Sequence, residues 1–212
     1  MKKNWIRGLA VNNFIDESGM RFIADNAFRI EKSPQYAQLG KYVKTVEFVR
    51  STESSLLFVE AKSSFPNPNN PAINPDKGNK TGSELFEEEV IGIYYKFIHS
   101  LNLYSAINIG VTEYKFPQGY EPFEKASLVF LLVINGFEKS WCRRIRAALT
   151  NKLRESVCIS RIWKPEVYVI NHDEAVKRKL SAAKCREAGK PGNGKVSRAD
   201  IQPVEFVKPQ QP

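Results

Sequence analysis

The stretch that decides the fold of this chain is Leu56-Leu57-Phe58-Val59-Glu60-Ala61-Lys62-Ser63-Ser64. Its apolar run is typical of a buried strand, and the run ends in a carboxylate and an amine two residues apart. Because side chains at positions i and i+2 of a strand lie on one face, Glu60 and Lys62 are expected to point the same way. This charged pair is the first candidate functional feature of the chain.

The residues before this stretch predict a partner strand. Tyr42 to Arg50 contains an alternating, half-buried pattern, and the short polar connector Ser51-Thr52-Glu53-Ser54-Ser55 follows it. A connector of this length is typical of an antiparallel hairpin.

The register of that hairpin determines whether two acidic residues meet. If the turn is centred between Glu53 and Ser54, Glu47 lies directly opposite Glu60. Facing like charges are destabilising unless something bridges them, and a divalent cation would convert the repulsion into a binding site. A shift of one residue would move Glu47 to the other face and remove this argument.

Periodicity and capping signals predict the other elements. Strands are predicted at residues 5–11, 20–24, 27–31, 106–115, 127–135 and 166–170, and amphipathic helices at 84–101 and 138–155. Pro34 to Gly40 is compatible with one or two helical turns or with a loop. A capping box at Thr81 to Glu84 begins the first long helix, and Asn171 is expected to cap a short basic helix whose first turn includes His172.

These elements predict one domain over residues 1–184 and a flexible, basic tail over 185–212 that is rich in Pro and Gly. The predicted class is α/β (α+β), with a central mixed β-sheet flanked by helices. Between strand and helix, residues 65–80 form a long polar loop that is either a functional lid or an insertion.

Composition excludes several functional classes. The longest apolar run, Leu128 to Ile134, is far shorter than the roughly 20 residues of a membrane span, so no membrane segment is expected and the predicted location is the cytoplasm. Three widely spaced cysteines argue against a disulfide framework, and two histidines without a Cys-x-x-Cys motif argue against a zinc site.

The net charge of +9 favours a polyanionic partner, although a solvated basic face would give the same bias. The candidate phosphate contacts are the basic residues Arg143, Arg144, Arg146, Lys177, Arg178 and Lys179. DNA is favoured over RNA as the partner, and the assembly is left open between a monomer, a homodimer and a larger complex.

The sequence resembles the PD-(D/E)xK nuclease superfamily, which has the restriction-endonuclease-like fold. The resemblance rests on Glu60-Ala61-Lys62 at the end of an apolar strand, on Glu47 thirteen residues earlier, and on the helix that follows. It covers about residues 40–135. Phe58 to Ser64 also resembles a stretch in uncharacterised bacterial proteins.

The resemblance implies metal-dependent phosphodiester hydrolysis of nucleic acid. Glu47, Glu60 and the backbone carbonyl of Ala61 would hold Mg²⁺ or Mn²⁺, and Lys62 would activate or orient the attacking water. The chain departs from the family pattern in having Glu47 where Asp is usual and Val46 where a proline is frequent. An inactive nucleic-acid-binding or protein-interaction module on the same fold is the alternative function, and a surface ion pair is the alternative for Glu60 and Lys62.

Overall fold

The structure is a computed structural model that describes residues 14–40, 42–72, 75–122 and 126–182. The predicted strand at 5–11 and the tail at 185–212 lie outside these residues. The strands are β1 (Phe14–Glu17), β2 (Met20–Ile23), β3 (Ala27–Phe28), β4 (Phe48–Ser51), β5 (Ser55–Lys62), β6 (Ser127–Ile134), β7 (Glu166–Asn171) and β8 (Ser181–Ala182). The α-helices are α1 (Pro34–Leu39), α2 (Gly82–Ile109), α3 (Lys139–Arg154) and α4 (His172–Lys177), and short 3₁₀ turns lie at Ile30–Lys32 and Pro75–Lys77.

A mixed five-stranded sheet forms the centre of the molecule, in the order β3-β4-β5-β6-β7. Strands β3, β4 and β5 are antiparallel, whereas β5, β6 and β7 are parallel. A second, antiparallel sheet has the order β1-β2-β8. The predicted mixed sheet flanked by helices is therefore confirmed.

The predicted hairpin register is confirmed. Phe48 pairs with Val59 and Ser51 with Leu56, which centres the turn between Glu53 and Ser54. The strand prediction for residues 42–50 was too long, because regular pairing begins only at Phe48. The amide of Glu47, just before β4, donates to the carbonyl of Val59 over 3.1 Å, which holds Glu47 next to the end of β5 although it lies outside the regular pairing.

Helix α2 connects β5 to its parallel neighbour β6 and covers one face of the central sheet. The predicted capping box is present, since the Thr81 hydroxyl accepts from the Glu84 amide and the Glu84 carboxylate accepts from the Thr81 amide. The helix contributes Phe86, Val90 and Phe97 to the core on this face of the sheet.

The strand predicted at 106–115 was wrong. Helix α2 continues to Ile109 and ends at Gly110, which has the left-handed φ of 77° that glycine adopts most readily. Leu103, Tyr104 and Ile107 are buried at helical spacing, and this burial outweighs the local alternation that favoured a strand.

The other predictions agree with the structure to within a few residues. Helix α3 and strands β6 and β7 form as predicted, and residues 34–39 are helical. The strand predicted at 27–31 ends at Phe28 and gives way to the 3₁₀ turn. Asn171 caps α4, and His172 lies in the first turn with its ring 3.0 Å from the Ser181 hydroxyl.

No helix among the described ranges combines the length and the apolarity needed to cross a bilayer.

Candidate functional site

The hairpin and helix α2 bring three charged side chains together at one end of the sheet. Glu60 comes from the end of β5, Glu47 from the residue before β4, and Lys96 from the middle of α2. The Lys96 ammonium lies 2.7 Å from Oε1 of Glu60 and 3.7 Å from Oε1 of Glu47. One cation therefore already bridges the two carboxylates that the sequence placed opposite each other.

Glu60 is in an unusual environment for a carboxylate, because its side chain is 0% exposed. Burial raises the pKa of this carboxyl to about 7, although the Lys96 ammonium and its hydrogen bond oppose the shift. Lys96 contacts one carboxylate oxygen, and among the described residues the other, Oε2, has no hydrogen-bond partner. A buried acceptor without a partner is costly, so this atom needs an explanation.

Glu47 is only partly enclosed, with 14% of its side chain exposed. Burial raises the pKa of its carboxyl, the ammonium of Lys96 opposes this, and the carboxylate of Glu31 adds to it. The pair thus consists of a fully buried acid and a mostly buried one, and the pKa of each carboxyl is raised above that of a free glutamate.

Lys96 is the positively charged residue that contacts both carboxylates. Burial by itself would lower the pKa of its ammonium, but the carboxylates of Glu60 and Glu47 outweigh burial and raise the pKa above its usual value. The sequence analysis did not identify this residue. The available signal was its spacing: Lys96 follows Glu89 by two helical turns and lies next to buried Phe97, at the edge of the inward face.

Lys62 lies beside the pair but has a second partner. Its ammonium is 3.6 Å from Oε1 of Glu60 and 2.7 Å from Oε1 of Glu89 on α2. The same-face geometry predicted for Glu60 and Lys62 is therefore present. The closer contact to Glu89 holds Lys62 at the open side of the site, where about a quarter of its side chain is exposed.

The backbone carbonyl of Ala61, the third implied metal ligand, accepts a hydrogen bond of 3.0 Å from the Ser18 hydroxyl. A carbonyl oxygen has two lone pairs, so one acceptor position remains. Ser18 comes from the β1–β2 turn of the smaller sheet, which shows that the two sheets meet beside the site.

A second group of acids extends the site toward that sheet. Single carboxylate oxygens of Glu17, Glu31 and Glu47 lie within 4.8 Å of one another. Arg29 forms ion pairs with both Glu17 and Glu31, which neutralises part of this negative charge. The sequence analysis did not identify Glu17 or Glu31 as site residues, and Glu31 lies in a 3₁₀ turn where the sequence predicted a strand.

A cleft of about 760 Å³ lies next to this group of charged residues. Lys62 and Lys96 form part of its wall, together with Glu31, Glu89 and three tyrosines, Tyr36, Tyr42 and Tyr95. Both lysines that contact Glu60 therefore line an open cleft, whereas Glu47 and Glu60 themselves lie behind its wall.

Two of the predicted phosphate contacts on α3 lie next to aromatic rings. Arg144 donates to Asn69 of the 65–80 loop over 2.9 Å and lies 5.7 Å from the ring centre of Phe86. Arg146 lies 5.3 Å from the ring centre of Tyr168. Both residues remain exposed.

The other predicted basic residues lie on α3 and at the end of α4. Arg143 and Lys177 are exposed on α3 and α4, and Lys179 is exposed just after α4. Arg178 pairs with Glu174 over 3.0 Å and acts electrostatically on the Tyr168 hydroxyl, as Arg146 does. The structure thus brings Arg146 and Arg178 to the same tyrosine, while Arg144 contacts Phe86 in the first turns of α2.

Comparisons with protein-family models, with curated proteins and with solved structures found no match to this chain, so the site is interpreted from its own geometry.

Proposed function

We propose that this chain is a metal-dependent nuclease with a restriction-endonuclease-like arrangement, in which Glu47 and Glu60 hold Mg²⁺ or Mn²⁺. The single observation that carries the proposal is the buried carboxylate of Glu60. One of its oxygens is unpartnered among the described residues, and the other shares the Lys96 ammonium with Glu47. The order of hairpin, crossover helix and parallel strand supports the fold assignment.

The donor set fits a hard cation. Carboxylate and carbonyl oxygens are the ligands that Mg²⁺ prefers, and Mg²⁺ commonly binds through one or two carboxylates and keeps several waters. Glu47, Glu60 and the carbonyl of Ala61 would supply the protein ligands. When bound, the cation would neutralise charge on the scissile phosphate and lower the pKa of a water.

Three charged residues of the chain would have the other catalytic and positioning roles. Lys62, at the open side of the site, would stabilise the negative charge that develops on the phosphate oxygens. Lys96 would keep the buried Glu60 carboxylate oriented and ionised, because its hydrogen bond favours the charged form. Glu89 would hold the Lys62 ammonium in place before substrate enters.

The test is a cleavage assay with the full chain and labelled DNA and RNA, in Mg²⁺, in Mn²⁺ and in EDTA. Cleavage is expected only with metal. Glu60→Gln and Lys62→Met should each lower the rate by about 100-fold or more, in line with the loss of one charge-stabilising group. Glu53→Gln at the hairpin turn is the matched control and should cleave normally. Full activity in Glu60→Gln would contradict the assignment.

One observation favours a second function, a nucleic-acid-binding or protein-interaction module without catalysis. Lys96 already bridges Glu47 and Glu60, so the acidic pair is partly neutralised without a metal. This function predicts salt-dependent binding of nucleic acid that EDTA leaves unchanged, with no cleavage in either metal. Calorimetric titration with Mn²⁺ distinguishes the nuclease from the non-catalytic module. Only the nuclease requires a metal-binding site, and Glu60→Gln should abolish the heat of Mn²⁺ binding at that site.

A further inference from the structure

The cleft that Lys62 and Lys96 line also contains exposed aromatic side chains. Tyr42 is 71% exposed and Tyr95 is 45% exposed, and both line the same cleft as Lys62 and Lys96. Large aromatic side chains are normally buried, so two exposed rings at one opening are a candidate binding surface. We infer that this cleft binds an unpaired nucleobase of a single-stranded nucleic acid, and the inference rests on the proposed function.

The local structure presents Tyr95 as a stacking platform. Its ring centre lies 5.3 Å from that of Tyr94 and 5.5 Å from that of His99. The His99 ring is fixed in turn, because its Nδ1 accepts from the Lys44 amide over 3.0 Å. A ring held by two aromatic neighbours loses little freedom when a base stacks on it.

The charge of the cleft argues that stacking, rather than attraction to phosphates, dominates recognition. Its lining includes Lys44, Lys62, Lys77 and Lys96 and also Glu31, Glu88 and Glu89. Burial lowers the pKa of His99, which favours the neutral ring. Such a nearly balanced lining gives weak counterion release, the main source of affinity for duplex DNA.

An unpaired base meets the requirements of this cleft, whereas a duplex does not. Every base has two faces on which an aromatic ring can stack, but in a duplex the neighbouring bases already cover these faces. The cleft volume of about 760 Å³ lies within the range of about 300–1,000 Å³ that is typical of small-ligand sites.

The test measures binding without cleavage. Fluorescence anisotropy is recorded in EDTA at physiological salt, with the full chain and a labelled oligo(dT) or a duplex of equal length. The single strand should bind at least about tenfold more tightly. Tyr42→Ala and Tyr95→Ala should each weaken single-strand binding by about 5- to 150-fold, and the corresponding phenylalanine variants should not.

Trp163→Ala is the matched control, because Trp163 is an aromatic residue of similar exposure, 43%, outside the cleft lining. Equal affinity for duplex and single strand, or alanine variants that bind like the wild type, would overturn the inference. Its failure is distinguishable from failure of the proposed function. Tyrosine-dependent binding without metal-dependent cleavage would leave the ligand class standing, whereas cleavage without tyrosine dependence would leave only the nuclease.

Discussion

Replacing Glu60 by glutamine should remove a pH-dependent contribution to the stability of the folded chain. The pKa of Glu60 is about 7 in the folded state, against a usual value of 4.5. Between pH 4.5 and pH 7, Glu60 therefore keeps a proton in the folded state that it has already released in the unfolded state. This contribution to stability is fully present below pH 4.5 and is lost as the pH rises through 7.

The size of the effect follows from the two pKa values. At about 1.4 kcal/mol per pKa unit, the full contribution is about 3 kcal/mol, and most of it disappears between pH 5 and pH 8. Other carboxylates act in the opposite direction, since hydrogen bonds and ion pairs lower the pKa of Asp16, Glu84 and Glu174. The quantity to measure is therefore the difference in unfolding free energy between wild type and Glu60→Gln, rather than either value alone.

The assay is urea unfolding in EDTA at pH 5 and at pH 8, followed by circular dichroism or tryptophan fluorescence. Relative to Glu60→Gln, the wild type should lose about 2–3 kcal/mol between the two pH values. Glu53→Gln, in the exposed hairpin turn, should show no such difference. Lys96→Met should shift the transition to higher pH, because it removes the cation that favours ionised Glu60. A constant difference between wild type and Glu60→Gln across this range would refute the reasoning.

Two further predictions concern the packing that supports the site. Gly82→Ala should destabilise the chain, because a Cβ there would lie 2.2 Å from the Asn67 carbonyl oxygen, whereas Gly92→Ala on the same helix meets nothing within 4 Å. Gly92→Ala should stabilise the chain by about 0.5–1 kcal/mol, and thermal unfolding of the pair checks both signs. Phe97→Ala should cost about 3–5 kcal/mol in urea unfolding, since the ring is 0% exposed and stacks on Phe130 at 4.6 Å. A loss below about 1 kcal/mol would contradict that packing.

The position of Glu47 close to Glu60 could be predicted because hairpin geometry is local. The five-residue connector limits the turn, and the strand period of two then determines which side chains share a face. Only the register had to be assumed, and the pairing of Phe48 with Val59 agrees with it. The information needed to predict this part of the candidate site therefore lies in about sixteen consecutive residues, 47–62.

The contribution of Lys96 could not be predicted in the same way. Helix periodicity places Lys96 at the edge of the inward face, but the distance from Lys96 to Glu60 depends on how α2 is rotated and placed over the sheet. That placement results from the packing of Phe86, Val90, Ile93 and Phe97 against the sheet as a whole. The position of Glu31 was equally inaccessible, because it depends on a 3₁₀ turn where the sequence pattern favoured a strand.

The end of α2 shows how two patterns can compete in one segment. Ile107, Ile109 and Val111 alternate as a strand would, whereas Leu103, Tyr104 and Ile107 repeat as a helix would. The helix is the observed outcome, and Ile109 and Val111 are both 72% exposed. Gly110 was the decisive signal, since a glycine directly after an apolar helical stretch is typical of a C-terminal cap.

The buried carboxylate of Glu60 is better explained by function than by stability. Replacing a buried ion pair with apolar residues of similar size is often neutral or stabilising, and the surroundings of Glu60 on β5 are apolar. Phe58 and Leu132 are fully buried on the same face of the sheet, so a leucine at position 60 would continue the core. A glutamate there instead has a pKa raised by burial and leaves Oε2 unpartnered among the described residues. A perturbed carboxyl near a second acid and an open cleft is more frequent at functional sites than in purely structural cores, which is why the proposed function starts from Glu60.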